Sequence, residues 1–158
     1  MQRTKFILGG LLILAAVVYL IASSTQASAE YFMTINELKA EGPAVAGKSL
    51  RASGAVIGDT IQYDPNTLTL TFTVADVPAD NKTIDAQGGL AKVLHDAVVD
   101  PTRTRMQIVY TGPKPDLLRD EAQAIMTGQL GQDGVFHADE LLLKCPTKYE
   151  SAVPDQTK

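Results

Sequence analysis

The only cysteine in this 158-residue chain, Cys145, stands in the stretch LLLKCPTKYES, with Lys144 and Lys148 on either side of it and Tyr149 four residues on. The thiolate is the reactive form of cysteine, and nearby positive charge enriches it by lowering the pKa below about 8.5. The pattern therefore predicts a nucleophilic thiol. Leu141 and Leu143 share strand parity with Cys145, so a straight final strand would lead an apolar stripe up to the sulfur. Such a surface suits a large, flat, apolar ligand. Cys145 and Tyr149 share a face in a helical turn, whereas an extended chain separates them by about 13 Å. The two histidines, His95 and His137, have no cluster of Cys or carboxylates beside them that would complete a metal site. His95 is expected to be a partly exposed helix residue and His137 to face solvent from the outer side of the last strand. A lone cysteine makes no disulfide within its chain, and without a CxxC pair a dithiol exchange mechanism is excluded. Cys145 is thus an incidental thiol, an intermolecular partner or a reactive group.

The elements that must position this thiol begin after an unusual N-terminus. No charge occurs between Lys5 and Glu30, and the apolar run extends from Phe6 to Ala22. As a helix this segment approaches the ~30 Å of a bilayer core. Arg3 and Lys5 before it and Glu30 after it predict a single-pass anchor, with a cytoplasmic N-terminus and an extracytoplasmic domain. The rival expectation is a signal peptide cut at Ala27-Ser28-Ala29. In both cases the domain is exported. Residues 1–29 are read as this anchor, 30–144 as the folded domain and 145–158 as a flexible tail. Tyr31 and Phe32 are expected at the membrane interface. About 110–125 residues remain for folding, enough for one core. With a net charge of −4 and a pI near 5.1, nucleic acid is an unsuitable partner.

Within the domain, Thr34 and Glu37 form a capping-box pattern ahead of a short helix that ends at Gly42-Pro43. Period-two alternation then marks five strands. The first runs on from Lys48, with Gly54 suggesting a bend or a close backbone approach. The second is TLTLTFTVA (67–75), with Leu68, Leu70, Phe72 and Val74 on one face and threonines on the other. The third is 105–112, the fourth 122–130 and the fifth 135–144. A helical turn over Pro115–Arg119 separates the third from the fourth, and Gly131–Gly134 turns the last hairpin. Residues 76–103 read as an insertion with a helix at about 89–99, which either contacts a partner or, the favoured reading, pads the barrel edge. Five short strands with interior glycines predict an all-β fold, a five-stranded OB-fold-type barrel.

Several of these motifs occur together in one known family. They are Val109-Tyr110-Thr111-Gly112, Pro115-Asp116-Leu117-Leu118-Arg119, Gly128-Gln129-Leu130, Gly134-Val135-Phe136, Ala138-Asp139-Glu140 and Leu142-Leu143-Lys144, followed by Cys145 and Tyr149. Together with the N-terminal segment they resemble the CcmE haem chaperones of cytochrome c maturation, in their cysteine-type CxxxY branch. The resemblance implies a carrier, not an enzyme, for haem b bound covalently through a vinyl group. It implies that Cys145 is the attachment point and Tyr149 the axial ligand of the haem iron. It also implies three partners: a membrane haem-delivery protein, a haem-ligation complex and apocytochrome c. Two other classes stay open from the residues alone: an OB-type ligand-binding module, and a thiol that forms a mixed disulfide with a partner.

Overall fold

The computed structural model describes residues 2–25 and 31–145. The Ala27–Ala29 cleavage motif, Lys148 and Tyr149 lie outside the described residues. The chain divides into two compact units, residues 1–30 and the rest from Tyr31 onward.

In the first unit, Gln2–Thr25 forms one helix, α1, whose side chains from Gly9 to Leu20 are all exposed. Among the described residues no helix is long and apolar enough to cross a membrane. The run from Phe6 to Ala22 would measure about 25 Å as a helix, a little short of a ~30 Å hydrocarbon core.

The second unit opens with strand β1 (Tyr31–Thr34), helix α2 (Ile35–Glu41) and a 3-10 turn over Gly42–Val45. Then follow β2 (Leu50–Asp64), β3 (Thr69–Asp76), helices α3 (Asn81–Ala86) and α4 (Leu90–Val99), β4 (Arg105–Thr111), β5 (Gln123–Leu130) and β6 (Phe136–Lys144). The strands run in the order β2-β3-β4-β6-β5, and β5 pairs back onto β2 to close the barrel. All these pairs are antiparallel except β4 with β6. This is the five-stranded Greek-key connectivity of the OB fold, as the alternation predicted. Closure depends on the length of β2: Leu50–Ala55 pairs with β5, and the stretch from Gly54 to Asp64 pairs with β3.

One strand goes beyond the expected five. β1 lies parallel to the start of β2, with Met33 opposite Ala52. Four residues are too few for alternation to stand out, which is why this strand has no signature in the sequence. Tyr31 and Phe32 are exposed on it. The capping box forms as read: Glu37 N–H donates to the Thr34 hydroxyl and Thr34 N–H to the Glu37 carboxylate.

The threonine-rich strand also behaves as its alternation demands, with Leu70, Phe72 and Val74 fully buried. Leu68 does not join them. It sits in the preceding turn with φ of +52° and is about half exposed, because the turn after Asp64-Pro65-Asn66 extends two residues further than its polar sequence suggests. The barrel core consists of these residues with Val56, Ile108, Met126 and Phe136.

The segment between β3 and β4 holds two helices rather than one. α4 matches the expected helix, and α3, read as loop, is started by Asp80, whose carboxylate accepts the Thr83 N–H. Ile84 is the one buried residue of α3, too little for a helical period. Val93, Leu94 and Ala97 of α4 bury with Ile84 against Ala55, Ile57, Ala75 and Val77, forming a second small core outside the barrel. The insertion thus covers the outer face of the β2–β3 hairpin instead of padding an edge.

Asp76, at the end of β3, is buried and holds α2 in place. The Asn36 backbone N–H donates to one carboxylate oxygen and the Asn36 side-chain amide to the other, at 2.9 and 2.7 Å. Burial pushes its pKa above the ordinary 3.8, partly countered by the Asn36 backbone N–H and by Arg103. A raised carboxyl pKa means the folded state takes up a proton before the unfolded chain does. The stability contributed this way is present at acid pH and is lost as pH rises through the folded pKa. Asp76→Asn removes this pH dependence but sets an amide N–H against the Asn36 donors. Urea titration at pH 7 is expected to show a loss of about 2 kcal/mol.

Candidate functional site: a thiol at the end of the barrel

What aims Cys145 inward is a break in the last strand. From Leu130 opposite Phe136 to Gly128 opposite Ala138 the β5–β6 register is regular; then Thr127 pairs with Glu140. Asp139 is the extra residue of a β-bulge, and a bulge exchanges the two faces of the strand beyond it. Phe136 and Ala138 are buried before the bulge, whereas Leu141, Leu143 and Cys145 turn toward the core after it. Gly128 makes the bulge possible. A Cβ at this position would lie 2.0 Å from the His137 carbonyl oxygen and 2.8 Å from the Ala138 Cα.

Cys145 follows the last paired residues, Gln123 and Lys144, so it sits where the barrel wall ends. Its side chain is part-buried against the main core. The Sγ–H donates to the Leu117 carbonyl at 3.7 Å, within the range for sulfur. Leu117 belongs to the β4–β5 loop. The helical turn expected over Pro115–Arg119 contracts to a single turn at Asp116-Leu117, closed by Leu118 N–H donating to the Pro115 carbonyl. Leu118 is buried in the barrel core while Leu117 is 52% exposed. On β6, Leu142 faces outward and is 54% exposed. The thiol ends the inward Leu141–Leu143 stripe, beside the exposed Leu117 of the loop that meets it; a thiol next to apolar surface can take a flat apolar molecule bearing an electrophilic carbon.

The other candidates fall elsewhere. His137 is exposed between the buried Phe136 and Ala138, as expected, with Nε2 3.9 Å from the Asp133 carboxylate. It borders a shallow depression of about 350 Å³ with Ala46, Gly47, Leu130 and Gly131. That puts it about 26 Å along β6 from Cys145, at ~3.3 Å per residue, so the two do not share a site. His95 is an exposed helix residue, as expected, but it has a partner: Nδ1 lies 2.6 Å from the Glu121 carboxylate. That hydrogen bond, and then the charge of Glu121, raise the His95 pKa above its ordinary 6.5. Among the described residues no cluster of three or more His, Cys, Asp or Glu could hold a metal ion. The contact with Leu117 and the role of Gly128 were not legible in the sequence. The one available signal was the change of buried parity between Phe136/Ala138 and Leu141/Leu143, which requires an extra residue in between.

Fold and site together define a small OB-type barrel that presents a single thiol at the end of its last strand. A family profile described as the CcmE domain matches residues 29–152. The chain belongs to the CcmE family. It is 31% identical over 148 residues to the cytochrome c-type biogenesis protein CcmE of Azoarcus sp. (strain BH72), covering 94% of this chain and 82% of that one. It is 26% identical over 150 residues to the protein of the same name from Deinococcus radiodurans, covering 95% and 73%. Among solved structures, it is similar to the OB-fold domain of the haem chaperone CcmE from Desulfovibrio vulgaris, at 18% identity and a TM-score of 0.41, covering 65% of this chain and 92% of that one.

Proposed function

We propose that this protein is an extracytoplasmic haem chaperone that carries haem covalently on Cys145 and passes it to apocytochrome c. The observation that supports this most is the bulge-directed placement of the chain's only thiol at the end of an apolar stripe, in a member of the CcmE family. Haem is cargo here, and the protein is a carrier rather than a turnover catalyst. In the attachment step the thiol adds across a vinyl double bond of haem b. The Sγ–C bond forms at one vinyl carbon, the proton ends on the other, and no electrons are exchanged with a third party. Tyr149, four residues on, supplies a phenolic oxygen for the haem iron. A membrane haem-delivery protein loads the carrier and a ligation complex unloads it.

The N-terminal helix α1, with Arg3 and Lys5 before its apolar run, is read as the single-pass anchor that keeps the barrel on the extracytoplasmic side. The test uses the full chain co-expressed with the delivery machinery and taken from the membrane fraction. Haem is expected to stay with the chain on a denaturing gel. Tyr149→Phe is expected to keep that stain but shift the absorption spectrum of the native protein. An unchanged spectrum removes Tyr149 as ligand, and a chain that never stains for haem removes the carrier itself.

A further inference from the structure

The β4–β5 loop, residues 112–122, has no helix or strand, yet it is tied down on every side. The Gly112 N–H donates to the Leu68 carbonyl at 2.8 Å, and the Leu118 side chain is buried in the core. Asp120 Oδ1 accepts the Gly58 N–H at 2.6 Å, an approach so close that a Cβ on Gly58 would lie 2.6 Å from the Asp120 Cβ. The Glu121 N–H donates to the Val56 carbonyl and the Val56 N–H to the Ala122 carbonyl. The Glu121 side chain reaches His95 of α4. Leu117, between these ties, is the residue whose carbonyl accepts the Cys145 thiol.

We infer that this loop is a fixed shelf orienting the Cys145 thiol, and that Asp120 and His95 are positioning residues for it. Neither touches the sulfur; each holds the loop whose Leu117 carbonyl does. The inference deepens the haem-carrier proposal, because a thiol held in one orientation meets an arriving vinyl group the same way each time. It also gives the 76–103 insertion a role, since α4, seated on its own small core, provides His95 as an outrigger to the shelf. The charged groups facing His95 are Glu121 from the loop and Asp96 and Lys92 from its own helix.

The test is the rate at which iodoacetamide alkylates Cys145 in the folded full chain, and it needs no haem. Asp120→Ala and His95→Ala are each expected to raise the rate about two- to fivefold, the scale of an exposed charge-assisted tie. Lys92→Ala, which removes the ion pair with Asp96 on the same helix but leaves the His95–Glu121 contact in place, should stay at the wild-type rate. His95→Gln keeps a side-chain N–H for Glu121 and should keep the protection. Relative to that variant, the wild type should lose protection as pH rises through the folded pKa of His95. Circular dichroism checks that each variant is folded; should Asp120→Ala unfold, His95→Ala, on an exposed helix surface, decides alone. Wild-type rates in folded His95→Ala, with no pH difference from His95→Gln, overturn the shelf. Loss of haem attachment with normal alkylation kinetics would bear on the carrier proposal alone.

Discussion

Replacing Cys145 with alanine is expected to leave a folded barrel that carries no covalent haem. The side chain is part-buried, and among the described residues its hydrogen bond is a long thiol contact to the Leu117 carbonyl, so little stability is expected to depend on it. A loss within about 1 kcal/mol is expected, with the urea midpoint close to that of the wild type. The effect on haem attachment is expected to be complete, because Cys145 is the only cysteine of the chain. Cys145→Ser should be equally empty: a serine hydroxyl stays protonated at neutral pH and is a far weaker nucleophile. Haem staining of a denaturing gel, beside a urea titration of the same preparations, separates lost chemistry from lost fold. Full covalent haem on the folded Cys145→Ala chain would put the attachment point elsewhere.

The second large effect is expected 17 positions earlier, at Gly128. Gly128→Ala places a methyl group where the His137 carbonyl oxygen already lies, 2.0 Å from the new Cβ. Both obstacles, that oxygen and the Ala138 Cα, are backbone atoms, so the clash is not relieved by a rotamer change. The strand pair must open or lose its bulge. Losing the bulge would turn Leu142 and Lys144 inward and Leu141, Leu143 and Cys145 outward, burying a lysine in place of a leucine. Either outcome is expected to lower stability by more than about 3 kcal/mol, read as a drop in the urea midpoint. Haem attachment should fall with it, since the thiol loses its place beside Leu117. A Gly128→Ala protein with the wild-type midpoint would mean that the bulge does not depend on this glycine.

These two positions also mark where the sequence was transparent and where it was not. Cys145 could be singled out directly, because it is the only thiol and lies among lysines at the end of an apolar run. The barrel was legible too: Leu70, Phe72 and Val74 alternate with threonines, and Ala122, Ala124, Met126 and Leu130 share one buried face. What stayed hidden depends on contacts between distant segments. β1 is too short for a period, and α3 buries one residue, so neither carries a pattern of its own. Leu68 has the right parity for the core, but a left-handed turn takes it out. Leu117 and Cys145 are 28 residues apart, and their contact exists only because Asp139 bulges and Leu118 anchors the loop. His95 reads in the sequence as an ordinary helix residue, because Glu121 reaches it only through the folded loop.

Cys145 is proposed to carry haem through a thioether. The most direct test is the intact mass of the full chain purified from membranes that also contain its delivery machinery, followed by peptide mapping. A fraction of the protein is expected to be heavier by one haem b, with the added mass on the peptide that contains Cys145 and stable to thiol reductant. A bare thiol throughout, or a reductant-sensitive disulfide to another protein in its place, would contradict it.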